Sequence, residues 1–256
     1  MNFKNIPLLN IVLFVLFILF ILITSGAQSE TNALGQQITF INAEQNIKSK
    51  KIDEKSSIWL RINNGYSMKE RPSKRIRNFE KWYSKRPEYV ERMLDRSEKY
   101  LFHVVGEVEK RKMPMEIALL PMIESAYNPI ATSRKKAAGM WQFIPSTGKI
   151  YGLEQNWWVD DRRSVMAATN AALDYLEKLY KDFGTWELAL ASYNAGEGRI
   201  GRAIKRNKRN KKSTSYYNLR LPKETKNYVP KLFAIKNIIS NPEKYGLNLP
   251  KVKNQP

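Results

Sequence analysis

The chain has 256 residues, enough for one domain with a real core plus extensions, and its hydrophobic fraction of 43% with 6 Trp, 13 Tyr and 10 Phe fits a globular protein. Its 44 basic residues against 24 acidic give a formal net charge of +20, which favours polyanionic surroundings: nucleic acid, anionic lipid or an acidic cell-wall polymer. Cysteine is absent and His103 is the only histidine, so disulfides, a Cys nucleophile and lipid attachment through Cys are excluded, and a Ser-His-Asp triad or a multi-His metal centre has almost nothing to draw on.

The N-terminal segment sets the compartment. Residues 11–23 are an unbroken apolar run behind a start that carries only Lys4, and Ser25-Gly26-Ala27 supplies small residues for cleavage. This is the layout of a secretory signal peptide over residues 1–27, with cleavage after Ala27. The competing reading is a retained anchor over residues 6–23, borderline against the roughly 20 residues that span a bilayer and interrupted by Pro7 and Asn10. Either reading places the remaining chain outside the cytoplasm, in the periplasm or cell envelope. Residues 28–70 are polar without a sustained period and read as a linker or extension.

From Arg71 helical signals dominate, and the fold class is mostly α, with a catalytic domain expected over 71–240 and a tail over 241–256. Pro87 opens a long helix to about residue 112, with Tyr89, Met93, Leu101, Val104, Val105 and Val108 on its apolar face. Pro114 opens the next, with Glu116 in a first turn where the helix dipole favours an acid, and with Pro121 as a kink. Pro145 and Ser146 restart the chain. Ser164 caps a helix to about residue 182, which Gly184 stops. Residues 186–194 form another, ended near Gly196. Pro222 begins the last, through Tyr228, Leu232, Ile235 and Ile239, and a short hairpin around 216–221 is the one alternative to helix and loop.

One acid stands apart. Ile117, Leu120 and Glu124 fall at i, i+3 and i+7 on one helical stripe, so Glu124 faces the side to be buried. A carboxyl among apolar groups resists ionisation and stays a proton donor near neutral pH, as a general acid must. The bland alternative is a buried Glu paired with one of the many bases. From residue 125 to 153 there is no Asp or Glu. Within that stretch Gly139 permits close backbone approach to a ligand, Trp141 is either a sugar platform or a core residue, and Gln142 offers donor and acceptor to sugar hydroxyls and N-acetyl groups. Tyr193-Asn194-Ala195-Gly196 puts a phenol and an amide at a helix end, where a cap and glycine stop is the bland reading.

In order, Glu124-Ser125, Gly139-Met140-Trp141-Gln142, the Ala191-to-Gly196 motif and Glu224-Thr225-Lys226-Asn227-Tyr228-Val229-Pro230 resemble the motifs of the lytic transglycosylase catalytic domain, with the likeness running over about residues 79–239. That resemblance implies a lysozyme-like α-helical fold and cleavage of peptidoglycan between N-acetylmuramic acid and N-acetylglucosamine, leaving 1,6-anhydro ends. It implies one catalytic acid, at Glu124. Ser125, Gly139, Met140, Gln142, Tyr193, Asn194 and Tyr228 map onto positions that orient the acid or line the sugar groove. Two departures stand out: relatives commonly carry a lipid-modified Cys and wall-binding repeats that this chain lacks, and Met-Trp-Gln replaces the commoner Leu-Met-Gln or Leu-Trp-Gln.

No metal or cofactor is expected, and the expected partner is the peptidoglycan glycan strand. A hydrolytic muramidase would need a second carboxylate, for which Glu154, Asp160, Asp161 or Glu197 are candidates. A non-catalytic wall-binding protein is the alternative outside enzymes. The acid-free basic run over 199–212 reads as a solvated face or as an attraction to anionic wall or lipid groups; the export signal argues against nucleic acid.

Overall fold

The computed structural model describes residues 57–252 and 254. The expected signal or anchor and most of the expected linker, residues 1–56, lie outside them. Among the described residues there is helix but no strand, with isolated bridges such as the antiparallel Thr132–Ala138, Ala138–Phe143 and Gln155–Asp160, and no helix is long and apolar enough to cross a membrane. The mostly α expectation holds.

The helices are α1 (Ile58–Asn64), α2 (Lys74–Ser84), α3 (Pro87–Glu98), α4 (Leu101–Lys110), α5 (Leu120–Ser125), α6 (Pro145–Ile150), α7 (Val165–Phe183), α8 (Trp186–Ala195), α9 (Glu197–Arg209) and α10 (Lys223–Ser240). α10 is central: it packs on α2, α8, α5 and the 3-10 turn Met115–Leu119, while α7 lies along α8. Phe233, Ile235 and Ile238 of α10 join Ala172, Leu176 and Leu190 of α7 and α8 in one continuous core.

Several boundaries follow local chemistry. Ser164 Oγ accepts from Ala167 N at 3.4 Å, and Thr185 Oγ1 from Leu188 N at 3.4 Å, so each hydroxyl satisfies a free amide of a first turn. Gly184 closes α7 at φ +74° and donates to Tyr180 O.

Other expectations need correction. The helix expected over 87–112 is two helices. Ser97 Oγ donates to Leu94 O at 2.6 Å and Tyr100 N to Ser97 O at 2.9 Å, ending α3 by local bonds without Gly or Pro. Pro114 does not open an α-helix. A five-residue 3-10 turn, Met115–Leu119, intervenes, and Pro121 sits at the start of α5, where its missing N–H costs nothing, rather than kinking a longer helix. Glu116 does lie in the first turn of that 3-10 segment, and it is fully buried and accepts from Ser67 N at 3.2 Å and Met68 N at 3.1 Å, so it also staples a preceding segment. The region 216–221 holds a 3-10 turn, Tyr216–Asn218, and no hairpin.

The folded body also extends past 71–240. Ile58, Trp59, Ile62 and Met68 lie in the core with Leu247 and Val252. Trp59 Nε1 donates to Pro250 O at 2.9 Å, joining the two ends. Of the expected linker, therefore, residues 57–70 are part of the body.

Gly139 shows how tightly the site's frame is assembled. It has φ +82°, and a Cβ there would stand 1.6 Å from the Arg162 carbonyl oxygen. Gly139→Ala is expected to cost roughly 3 kcal/mol or more, from overpacking and the left-handed backbone together; urea denaturation of the purified variant checks it.

Candidate active site

Glu124 is positioned by a sharp exit from α5. Ala126 and Tyr127 follow it with φ +53° and +56°, a conformation that costs about 1–2 kcal/mol for each non-Gly residue. Tyr127 holds the turn: its ring is fully buried, its hydroxyl donates to Ala118 O at 2.6 Å, and its amide donates to Pro121 O at 3.0 Å. Ser125 Oγ donates to Met140 O at 2.9 Å and accepts from Asn128 N at 3.1 Å. α5 is thereby tied to the 139–143 loop.

Glu124 opens into a cleft of about 960 Å³, lined also by Gln142, Tyr193, Asn194 and Tyr228. Four residues from three widely separated segments are thus brought to one acid. Tyr228 Oη donates to Glu124 Oε1. Tyr193 Oη donates to Trp141 O at 2.8 Å, with its ring packed between Phe143 and Tyr175. Asn194 Oδ1 accepts from Thr225 Oγ1 at 2.9 Å, which leaves its NH2 for the cleft. Gln142 Nε2 donates to Gly139 O at 2.8 Å and to Ala131 O at 3.4 Å. Both partners are carbonyls, so the amide orientation is set and Oε1 is the atom left to accept.

Three other residues of the expected groove do not line it. Gly139 is required by the Arg162 carbonyl behind it, Met140 is buried and contributes its carbonyl to Ser125, and Ser125 spends its hydroxyl on backbone. The motif spacing marked the right loop, but the alternation of what faces in and out depends on Gly139 and Gln142 both having positive φ. Trp141 is a core residue: it is fully buried with Nε1 donating to Thr169 Oγ1 at 2.9 Å.

The electrostatics centre on Glu124. It keeps partial solvent contact through the cleft, yet the atoms packed around it desolvate the carboxylate and push its pKa up to about 7. The Tyr228 hydrogen bond and the Lys231 charge pull the other way, and Glu224 adds to the rise. Burial and the adjacent acid raise the pKa of Tyr228, so it remains a donor. Lys231 donates to Ile123 O at 2.9 Å, and burial lowers its pKa while Glu124 and Glu224 hold it up.

Phe79, Trp82, Lys231 and Glu224 also line the cleft; Glu224 stood in a motif without a site role, and the other three had not been singled out. Phe79 and Trp82 come from α2 and reach the site only through its packing on α10, which no local pattern reveals. Glu224 was legible in one respect: it stands at i−4 from Tyr228 on α10, one turn away on the same face. Of the four candidate second acids, none lines the cleft. Asp160 pairs with Arg162 at 2.8 Å, Asp161 Oδ2 accepts from Glu154 N, Glu154 Oε1 accepts from Asn156, and Glu197 is bound by Lys178. Among the described residues no three His, Asp or Glu side chains converge as metal ligands would.

This is a helical domain organised around one desolvated acid in an open, aromatic- and amide-lined cleft. A family model described as Transglycosylase SLT domain matches residues 105–216. The chain is 46% identical over 194 residues to membrane-bound lytic murein transglycosylase D of Escherichia coli (strain K12), covering 75% of this chain and 43% of that protein. It is 40% identical over 149 residues to a protein of Alteromonas sp. (strain M-1) named for tributyltin chloride resistance, covering 58% of this chain and 72% of that one. Over 80 residues it is 41% identical to peptidoglycan transglycosylase gp16 of Escherichia phage T7, covering 30% of this chain and 6% of that protein. The chain belongs to the lytic transglycosylase family built on the SLT domain, with the lysozyme-like fold of that domain. It spans less than half the length of the Escherichia coli relative.

The raised Glu124 pKa links folding to pH. An acid whose folded pKa lies above its ordinary value stabilises fully below that ordinary value, and the contribution is lost as pH rises through about 7. Glu124→Gln removes the buried charge. The variant is expected to melt close to the parent near pH 4.5 and to be more stable by on the order of 1–3 kcal/mol at about pH 8, checked by thermal denaturation across that range.

Proposed function

We propose that the protein cleaves the β-1,4 bond between N-acetylmuramic acid and N-acetylglucosamine in peptidoglycan, by transglycosylation with a 1,6-anhydro product. The observation that carries this reading is the Glu124 carboxyl: desolvated in the cleft, with a pKa of about 7, and held by the Tyr228 hydroxyl. Such a group is protonated often enough to act as an acid and deprotonates easily enough to act next as a base.

Glu124 gives its proton to the glycosidic oxygen as the bond to the muramic acid anomeric carbon breaks. The carboxylate left behind takes the proton of the muramic acid C6 hydroxyl, whose oxygen bonds to the anomeric carbon and closes the ring. The proton count returns to its start and no water is consumed. Tyr228 orients the carboxyl throughout. Gln142 Oε1 and the Asn194 NH2 are suited to N-acetyl and hydroxyl groups, and Trp82 and Phe79 to sugar faces.

Hydrolysis of the same bond is the second reading, and Glu224 is the observation that favours it, since it is a second carboxylate lining the cleft. The products separate the two. Mass spectrometry of digested peptidoglycan is expected to find anhydro ends; reducing ends that vanish in Glu224→Gln would establish hydrolysis instead. Glu124→Gln is expected to lower activity by at least ~10²–10⁴ with glycan binding retained. With the acid form required, kcat/KM is expected to fall as pH rises through about 7.

The place of action in this reading is the cell envelope, reached by the N-terminal segment. α9 and the residues after it present Arg199, Arg202, Lys205, Arg206, Lys208, Arg209, Lys211 and Lys212, all exposed. These side chains give the wall or membrane surface an electrostatic hold that salt screens over about 10 Å at 0.1 M. Neutralising several of them is expected to weaken sedimentation with isolated sacculi, and moderate salt to do the same, with cleavage of soluble glycan little altered.

A further inference from the structure

Trp157 and Trp158 are 89% and 87% exposed, more than any other large apolar side chain among the described residues. Neither ring has an aromatic, cationic or hydrogen-bonding side-chain partner among those residues. They occupy the two central positions of a tight turn, with Asn156 N donating to Val159 O at 2.9 Å. Those positions usually go to Gly, Asn, Asp or Ser, so turn chemistry does not call for indoles. Packing does not call for them either, because nothing is packed on them.

The turn is nonetheless firmly built. Asn156 Oδ1 accepts from Trp158 N at 2.7 Å and Val159 N at 2.8 Å, and a bridge pairs Gln155 with Asp160 below the tip. Its stem is fastened to the cleft wall. Gln155 Nε2 donates to Pro145 O at 3.0 Å, at the head of α6, and Arg162 Nη1 donates to Phe143 O at 3.2 Å. Phe143, Ile144 and Thr147 of that same stretch line the cleft. Two unpartnered indoles therefore stand on a firmly built turn whose stem is bonded to the wall that bounds the site.

We infer that Trp157 and Trp158 form an accessory platform for the glycan strand where it continues beyond the cleft, stacking on the apolar faces of successive N-acetylated sugars. The inference rests on the glycan reading of the cleft. The electron-rich indole face attracts the C–H groups that a β-linked hexosamine presents, and it needs no charge. Local charge favours a neutral sugar over an anionic lipid: the turn and its stem carry Glu154, Asp160 and Asp161 against Arg162 and Arg163, and Arg162 is committed to Asp160. By contrast, α9 carries six exposed bases against one acid.

The test uses the full chain carrying Glu124→Gln, so that ligands survive, and titrates β-1,4-linked N-acetylglucosamine oligomers of increasing length by calorimetry. Affinity is expected to rise with length once the oligomer outgrows the cleft. Adding Trp157→Ala and Trp158→Ala should abolish that rise and weaken the longest oligomer on the order of tenfold, while the shortest is bound as before. Tyr at both positions should restore most of the rise, and an unchanged melting temperature shows that the fold is intact. A rise that survives the double Ala substitution overturns the platform and leaves the cleft reading standing. Absence of binding at every length in the Trp-bearing protein strikes the cleft reading first and the platform with it. Trp-dependent capture by phosphatidylglycerol vesicles, or Trp-dependent dimerisation in sedimentation, with glycan binding unaffected, overturns it in favour of a membrane or a second copy.

Discussion

The desolvation of one carboxyl is the constraint around which this molecule is arranged. Glu124 stands at the end of a six-residue helix, against a tyrosine contributed by a helix about a hundred residues later in the chain. In water a glutamate is an anion at neutral pH and has no proton to give. Here the neutral form persists because the walls withhold solvent, while Tyr228 and Lys231 keep the anion attainable. A stronger counter-charge would hold the anion permanently; a wholly apolar setting would never let it form.

That balance depends on backbone placed at some cost. Ala126 and Tyr127 adopt left-handed conformations just past the acid, and Gln142 does so on the facing loop. Strain of this kind persists only when surrounding contacts outweigh it. The buried Tyr127 ring, the Ser125 link to Met140 and the seat of Gly139 against the Arg162 carbonyl are those contacts. The residues that flank the acid in sequence thus serve mainly as its frame, and the residues that share its cleft come from elsewhere.

The basic surface and the cleft are separate features of one body. The six cations of α9 point to solvent, whereas Lys231, beside the acid, is half-buried and bonded to a backbone carbonyl. In the proposed function, net charge bears on where the molecule dwells and the cleft on what happens there.

Local chemistry was readable from the chain alone. Ser164 and Gly184 bracket α7 as their types dictate, the apolar stripes gave the helical class, and Glu124 stood out as an acid on a buried face beside an acid-free stretch. Those signals act over one or two turns, which is the range a sequence pattern encodes. Tertiary structure decided the rest: that α1 belongs to the core, that Ser97 breaks a helix without Gly or Pro, that Trp141 turns inward while Gln142 turns to the cleft, and that Phe79, Trp82 and Glu224 join the site. The places of α1, Phe79 and Trp82 depend on which surfaces meet across a long span of chain, while the Ser97 break and the Trp141–Gln142 reversal are local bonds and backbone turns that residue type alone does not signal. Packing α2 and α8 against α10 selects those neighbours, and no periodicity along the sequence records that choice.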